Sequence, residues 1–214
     1  MSTEDTLTGP AATLWDMDGT LVDTEPIWAQ ALKQTVAAWG GVWSADQAER
    51  AHGASAEATE ELVRESFVGK DPRGTPSEFF AEVENYVLRE LHHCVPVQPG
   101  ARELISHFAA CGIPQAIVTS SRMCVVRPIV QAFAPDVFDA VISDDMEIPS
   151  KPDPAPYVFA AKRLGVRIAD CLIFEDSVPG LAAARASGAR VWDVTQRPLL
   201  EAVRFFIPAG EVSI

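Results

Sequence analysis

Downstream of residue 95 one pattern recurs: a helical stretch, a glycine, then a short apolar run. In PGARELISHFAACGIPQAIVTSS, Pro99 stands at a first helical position, Gly112 falls just past the helix end, and Gln115–Thr119 reads as a strand. PDPAPYVFAAKRLGVRIADCLIFED repeats the design with Gly165 and a strand at Cys171–Phe174. SVPGLAAARASGARVWDV repeats it with Gly188 and Arg190–Val194. A helix over Met123–Ala134 leads into a further strand, Ala140–Ser143. These apolar runs are continuous rather than alternating, so both faces of each strand must be covered. Helices alternating with such strands predict an α/β core built on a doubly wound, Rossmann-like parallel sheet.

Residues 25–94 break the pattern. Pro26–Trp39, Ala54–Val68 and Ser77–His93 read as helices, with Ile27, Ala31, Leu32, Val36 and Trp39 at helical spacing and no strand candidate among them. The expected organisation is a core of residues 1–24 and 95–214, interrupted after its first strand by an all-helical cap of residues 25–94. Its hinges are expected near Asp23–Pro26 and Cys94–Pro99.

The first strand poses a question. In TLWDMDGTLVDTEP the apolar run Ala11–Trp15 ends in Asp16 and Asp18, with Asp23 soon after. Positions i and i+2 of a strand share a face, and like charges that close repel, more so when buried. In open α/β sheets ligands bind at the carboxyl ends of the strands. Those ends supply Asp16, Asp18, Thr119, Ser120, Glu175 and Asp176, and Lys151 lies in the loop EIPSKPDP after the Ala140–Ser143 strand. Oxygen-only ligands with room for water and phosphate suit Mg²⁺, which together with Lys151 would offset the repulsion among the acids. Taken singly, these residues have plainer readings: Asp23, Asp144 and Asp145 as turn formers or caps, Thr119–Ser121 as the cap of the next helix, and Asp176 as the cap of the helix at Val178–Pro179. Their joint occurrence, each at a strand end, favours a site.

Composition narrows the classes. The 214 residues are 48% apolar and carry a net charge of −13. No apolar run approaches the ~20 residues a membrane helix needs, and nucleic acid is an unfavourable partner for so acidic a chain. MSTEDTLTGP has neither a basic flank nor an apolar stretch and is not read as a signal peptide. Cys94, Cys111, Cys124 and Cys171 show no CxxC spacing and are read as reduced thiols of a cytoplasmic protein. The four histidines form no metal-binding pattern.

These residues carry a resemblance. DMDGTLVD resembles the first motif, DxDGTLxD, of the haloacid dehalogenase superfamily. IVTSS resembles its second motif, SKPDPAPY its third and FEDSVPGLAAARASG its fourth, in family order over residues 14–188. The helical insertion stands where the subclass with a helical cap carries it. DTEP and KPDPAPY are similar to the branch of β-phosphoglucomutase, phosphoglycolate phosphatase and small sugar phosphatases. The resemblance implies Asp16 as nucleophile, through an aspartyl-phosphate, and Asp18 as the acid and base for the leaving group and water. It implies the Thr119 hydroxyl and Ser120 N–H as holders of phosphate oxygens, Lys151 as their neutralising charge, and Gly19 as the residue that lets the backbone turn closely around the phosphate. It implies Mg²⁺ held by Asp16, the Asp18 carbonyl and Asp176, with Glu175 either a ligand or one layer behind. Arg122 is either a substrate contact or a helix-surface arginine. Asp18 separates the chain from dehalogenases, which lack the second acid. The mutase pattern is departed from at Trp28, where mutases carry histidine, and at Ala56, where they carry arginine. The expected activity is a phosphatase for a small phosphorylated metabolite of the sugar phosphate or phosphoglycolate type, acting as a monomer, with a β-phosphoglucomutase-like mutase and a non-catalytic binding domain as alternatives.

Overall fold

The computed structural model describes residues 9–208 apart from 52, 53, 55, 68 and 70–72. The chain divides into two compact units: Met1–Val22 with Val97–Ile214, and Asp23–Pro96, each in its described residues.

The first unit is built on five parallel strands: β1 (Ala12–Trp15), β2 (Gln115–Val118), β3 (Ala140–Ile142), β4 (Cys171–Glu175) and β5 (Arg190–Asp193). Their order is β3-β2-β1-β4-β5, so β1 is central and the sheet switches direction on either side of it. The covering helices are α5 (Ala101–Ala110), α6 (Met123–Gln131), α7 (Ala155–Leu164), α8 (Val178–Ser187) and α9 (Leu199–Phe206), after the helices of the second unit in chain order. Strand alternation sorts the core into two halves. Ala12 and Leu14 of β1, Ala116 and Val118 of β2, and Cys171 and Ile173 of β4 pack with Tyr157, Ala160 and Ala161 of α7 and Ala183 and Ala184 of α8. On the opposite face Trp15 stacks on Phe174 (centroids 4.1 Å, planes 11° apart), and Phe108 and Phe206 join them from α5 and α9. Small residues on one side let two helices approach closely, and aromatic rings fill the other.

Gly165 and Gly188 end α7 and α8 in the left-handed region, as their positions after each helical stretch predict. The start of α5 differs from expectation. Gly100, at φ +90°, occupies the N-cap, so the helix begins at Ala101 and Pro99 stays outside it. A side chain there would also come within 3.0 Å of the Leu199 backbone. The helix expected over Met123–Ala134 ends at Gln131. Helix α9 went unread, although Leu199, Ala202, Val203 and Phe206 repeat at helical spacing.

The second unit is helical in its described residues: α1 (Glu25–Ala38), α2 (Ala45–Ala51), α3 (Ala56–Glu65) and α4 (Pro76–His93). Residues 55 and 68, within the helix expected over Ala54–Val68, lie outside the described residues, as does the side chain of Ala56. Phe79, Val83, Val87 and Leu91 form the buried stripe of α4, which packs on Ala31, Leu32 and Val36 of α1. Thr75 and Glu78 cap α4 reciprocally, the Thr75 N–H donating to Glu78 Oε2 at 2.8 Å and the Glu78 N–H to Thr75 Oγ1 at 3.3 Å. Helix α2 was not anticipated. Its signal was the same S-x-x-Q box at Ser44 and Gln47, where the Ser44 N–H donates to Gln47 Oε1 and the Gln47 N–H to Ser44 Oγ.

Candidate active site

Register and alternation assemble the site. Trp15 pairs with Phe174 across β1 and β4, and the Asp16 N–H donates to the Phe174 carbonyl at 3.0 Å. Asp16 continues the Ala12–Leu14 face and Glu175 the Cys171–Ile173 face, so the two acids emerge side by side over α7 and α8. Both are buried.

Lys151 meets this pair from the turn before α7. Its Nζ donates to Asp16 Oδ1 at 2.5 Å and to Glu175 Oε2 at 2.7 Å, with only 5% of its side chain exposed. Tyr157 of α7 donates its hydroxyl to the same Glu175 Oε2 at 2.5 Å, and its ring lies 5.1 Å from the lysine nitrogen. The other Glu175 oxygen accepts from the N–H groups of Asp176 and Ser177 and from the Ser177 hydroxyl, all at 3.0 Å. Five donors thus occupy Glu175. Burial works against its ionised form, but Lys151, Tyr157 and the Ser177 N–H outweigh it and hold the carboxyl below its usual range. Burial likewise opposes the Lys151 ammonium, and Asp16, Tyr157 and Glu175 outweigh it, so the lysine stays charged.

Asp176, the next residue, accepts from the Thr20 hydroxyl at 2.8 Å. Burial pushes its carboxyl up to about 6, with Glu175 adding to the rise against the bond from Thr20. Burial also pushes Asp16 well above the usual range, helped by Glu175 and Asp176 and resisted by Lys151. Oxygens of Asp16, Glu175 and Asp176 lie within 4.8 Å of one another. Three carboxylates face one ammonium, an excess of two negative charges when all are ionised. Glu175 is saturated by donors, so the unbalanced charge rests on Asp16 and Asp176. A divalent cation with oxygen ligands fits that donor set and that deficit.

Two glycines make room for the acids. A Cβ on Gly19 would stand 2.0 Å from Asp176 Oδ2, and one on Gly180 would stand 2.0 Å from Glu175 Oε2. Gly180 explains why the small-residue helix of the fourth motif must be small at that turn. The Gly19 carbonyl accepts from the Gln98 side chain at 3.2 Å, tying the loop after β1 to the segment before α5.

Asp18 belongs to a different arrangement. Its Oδ2 accepts from the Ser121 hydroxyl at 2.7 Å and the Thr119 hydroxyl at 3.4 Å, and the Ser121 N–H donates to Thr119 Oγ1 at 3.0 Å. Ser120 is exposed and lines one concavity with Thr119, Ser143 and Lys151. Arg122 pairs with Asp145 at 3.4 Å, and the Asp145 carboxylate accepts from the Met123 N–H at 2.5 Å, capping α6. Asp145 is therefore the cap it was read as, and Arg122, just before α6, pairs with it on the surface.

The structure thus brings Asp16, Gly19, Lys151, Glu175 and Asp176 into one cluster and joins Asp18 to Thr119. Sequence reasoning passed over Thr20, Tyr157, Ser177 and Gly180, and it read Ser121 only within a cap for the next helix, a place that Asp145 takes instead. Each lies inside a quoted motif, but a hydroxyl or a hydrogen at such a position has no signal of its own until its partner is known.

The sequence matches the family model described as haloacid dehalogenase-like hydrolase over residues 11–188. It is 32% identical over 188 residues to the protein CbbY of Rhodobacter capsulatus, covering 84% of this chain and 83% of that one. It is 32% identical over 184 residues to hexitol phosphatase A of Escherichia coli, covering 83% and 80%. The crystal structure of CbbY from Rhodobacter sphaeroides in complex with phosphate superposes with a TM-score of 0.73 at 25% identity, over 86% of this chain and 85% of that one. With the family model spanning Asp16, Thr119, Lys151 and Asp176, the chain belongs to the haloacid dehalogenase-like hydrolases.

Proposed function

We propose that the protein is a Mg²⁺-dependent phosphatase for a small phosphorylated metabolite of the sugar phosphate or phosphoglycolate type, working through an aspartyl-phosphate on Asp16. The observation that carries this reading is the buried Asp16–Lys151–Glu175 cluster with Asp176 beside it. It keeps a nucleophilic carboxylate next to a fixed cation and leaves two negative charges to be balanced. The phosphatase name of one relative and the phosphate complex of another point the same way.

Asp16, Asp176 and the Asp18 carbonyl would hold Mg²⁺, with Glu175 fixing the turn behind them. Bound there, Mg²⁺ would neutralise the acids and the phosphate oxygens. Lys151 neutralises the phosphate from the α7 side, while the Thr119 hydroxyl and Ser120 N–H hold its oxygens. A carboxylate oxygen of Asp16 bonds to phosphorus as the bond from phosphorus to the leaving oxygen breaks, and the Asp18 carboxyl gives that oxygen its proton. In the second half, water attacks phosphorus, Asp18 takes its proton, and Asp16 departs as carboxylate with inorganic phosphate released. Asp23–Pro96 serves as the substrate-selecting cap in this reading.

The test is phosphate release from a panel of phosphorylated metabolites with and without Mg²⁺, run beside Asp16→Asn. Mg²⁺-dependent release that the substitution abolishes is expected. β-Glucose 1-phosphate with a trace of β-glucose 1,6-bisphosphate belongs in the panel. Rapid conversion to glucose 6-phosphate with negligible phosphate release would mean a mutase, and no turnover on any member would mean a binding domain.

A further inference from the structure

We infer that Ser121 is a positioning residue, whose hydroxyl sets the carboxyl of Asp18 for proton transfer to the leaving group. The inference rests on the phosphatase reading above and adds to it a residue with a separate job. Lys151 holds Asp16 and Glu175, and the hydroxyl pair at the end of β2 orients Asp18. Ser121 gives the shorter of the two bonds, 2.7 Å against 3.4 Å from Thr119. Its placement is rigid. The Ser121 N–H donates to Thr119 Oγ1 at 3.0 Å, and its carbonyl accepts from the Asp144 N–H at 3.2 Å. The Thr119 oxygen therefore already receives one hydrogen bond, which turns its own hydroxyl proton toward Asp18.

Both hydroxyls meet the same oxygen, Oδ2, so together they fix the plane of the Asp18 carboxyl. A general acid works only when its proton lies within hydrogen-bond reach of the departing oxygen, and geometry decides this before acidity does. Thr119 also has a part in holding phosphate. Ser121 is thus the partner whose bond to Asp18 survives when substrate claims Thr119.

Ser121→Ala removes one hydroxyl and leaves both main-chain bonds of the residue in place. The test uses the full-length protein with Mg²⁺ and aryl phosphates from 4-nitrophenyl through phenyl to 4-methoxyphenyl phosphate. The quantity read is kcat/KM, which reports the step in which the leaving group departs. A good leaving group needs little of the proton and a poor one needs it most, so the loss should grow from about threefold with 4-nitrophenyl phosphate to about thirtyfold with 4-methoxyphenyl phosphate. Asp18→Asn should steepen the same dependence further, and Ser121→Thr should restore the wild-type dependence. An equal loss along the whole series would make Ser121 a phosphate or structural contact and overturn the inference while leaving the phosphatase reading standing. No loss at all would do the same. Absence of Mg²⁺-dependent hydrolysis in the wild type would overturn the phosphatase reading, and the inference with it.

Discussion

Both units of this protein carry ion pairs on the surface, but among the described residues the sheet unit also buries a cluster of them. In the helical unit ion pairs lie on the surface: Arg50 with Asp46 and Glu65, Arg64 with Glu60, and Arg73 with Glu82 keep 42–75% of their side chains exposed. Its interior is held by Phe79, Phe67 and Trp39, with ring centroids 5.2 Å and 6.2 Å apart, and by the aliphatic seam between α1 and α4. In the sheet unit the Lys151, Asp16 and Glu175 side chains are 5%, 9% and 0% exposed. Exposed pairs contribute at most about 1 kcal/mol each, whereas a buried pair is costly to form and costlier to break. A fold that needed only stability would place apolar residues at those strand ends. The buried ions are tolerated because strand ends, a helix turn and a tyrosine hydroxyl satisfy them, and the proposed phosphatase reading gives them a chemical use.

The comparison is broken or sharpened first at Asp16. Asp16→Asn should lower kcat at least ~10³-fold, on the order of 4 kcal/mol of barrier, with the circular dichroism spectrum of the fold retained. Wild-type turnover in this variant would remove the chemical reason for the buried charges.

Next comes stability. Lys151→Met leaves Asp16 and Glu175 buried without their cation and should cost about 3–5 kcal/mol in urea unfolding. Arg73→Met, in the helical unit, should cost no more than about 1 kcal/mol. Equal costs would show that burial does not distinguish the two sets of pairs.

A smaller effect is expected at Tyr157. Tyr157→Phe deletes one of the five donors on Glu175 and should cost about 1–2 kcal/mol of stability. A wild-type unfolding midpoint would mean that the remaining four donors suffice.

The mildest effect concerns pH. Asp176 is raised to about 6 from an ordinary 3.8, so the folded chain holds this proton longer than the unfolded chain does. Its stabilising contribution is therefore present below about pH 4 and is lost as pH climbs through 6, and the raised Asp16 acts in the same direction. A cation that binds the ionised acids should offset that loss. Saturating Mg²⁺ should raise Tm by a few degrees at pH 7.5 and by less at pH 5, and Asp176→Asn should abolish most of the difference. An equal shift at both pH values would place the cation elsewhere.

Much of this was legible in one dimension. The continuous apolar runs, the glycines after α7 and α8, and the change of pattern at residues 25–94 determined a parallel sheet and a helical segment, because backbone conformation and burial leave periodic marks. Asp16 and Asp176 were visible because acids at apolar strand ends are costly and ask for a reason, and Lys151, in the loop after β3, because such acids call for a cation. Tertiary structure decided the rest. Gly100 at φ +90° moved the start of α5, a matter of what the Leu199 backbone leaves room for. Glu175 reads from the sequence as a metal ligand or as a support, and the five donors that converge on it from the turn before α7, from α7 and from its own turn became visible only in the structure. Tyr157 carried no sequence signal and Ser121 only that of a helix cap, since a hydroxyl takes its role from the group across from it. For Ser121 that group, Asp18, came from the loop after β1, 103 residues away, at a separation where periodicity records nothing.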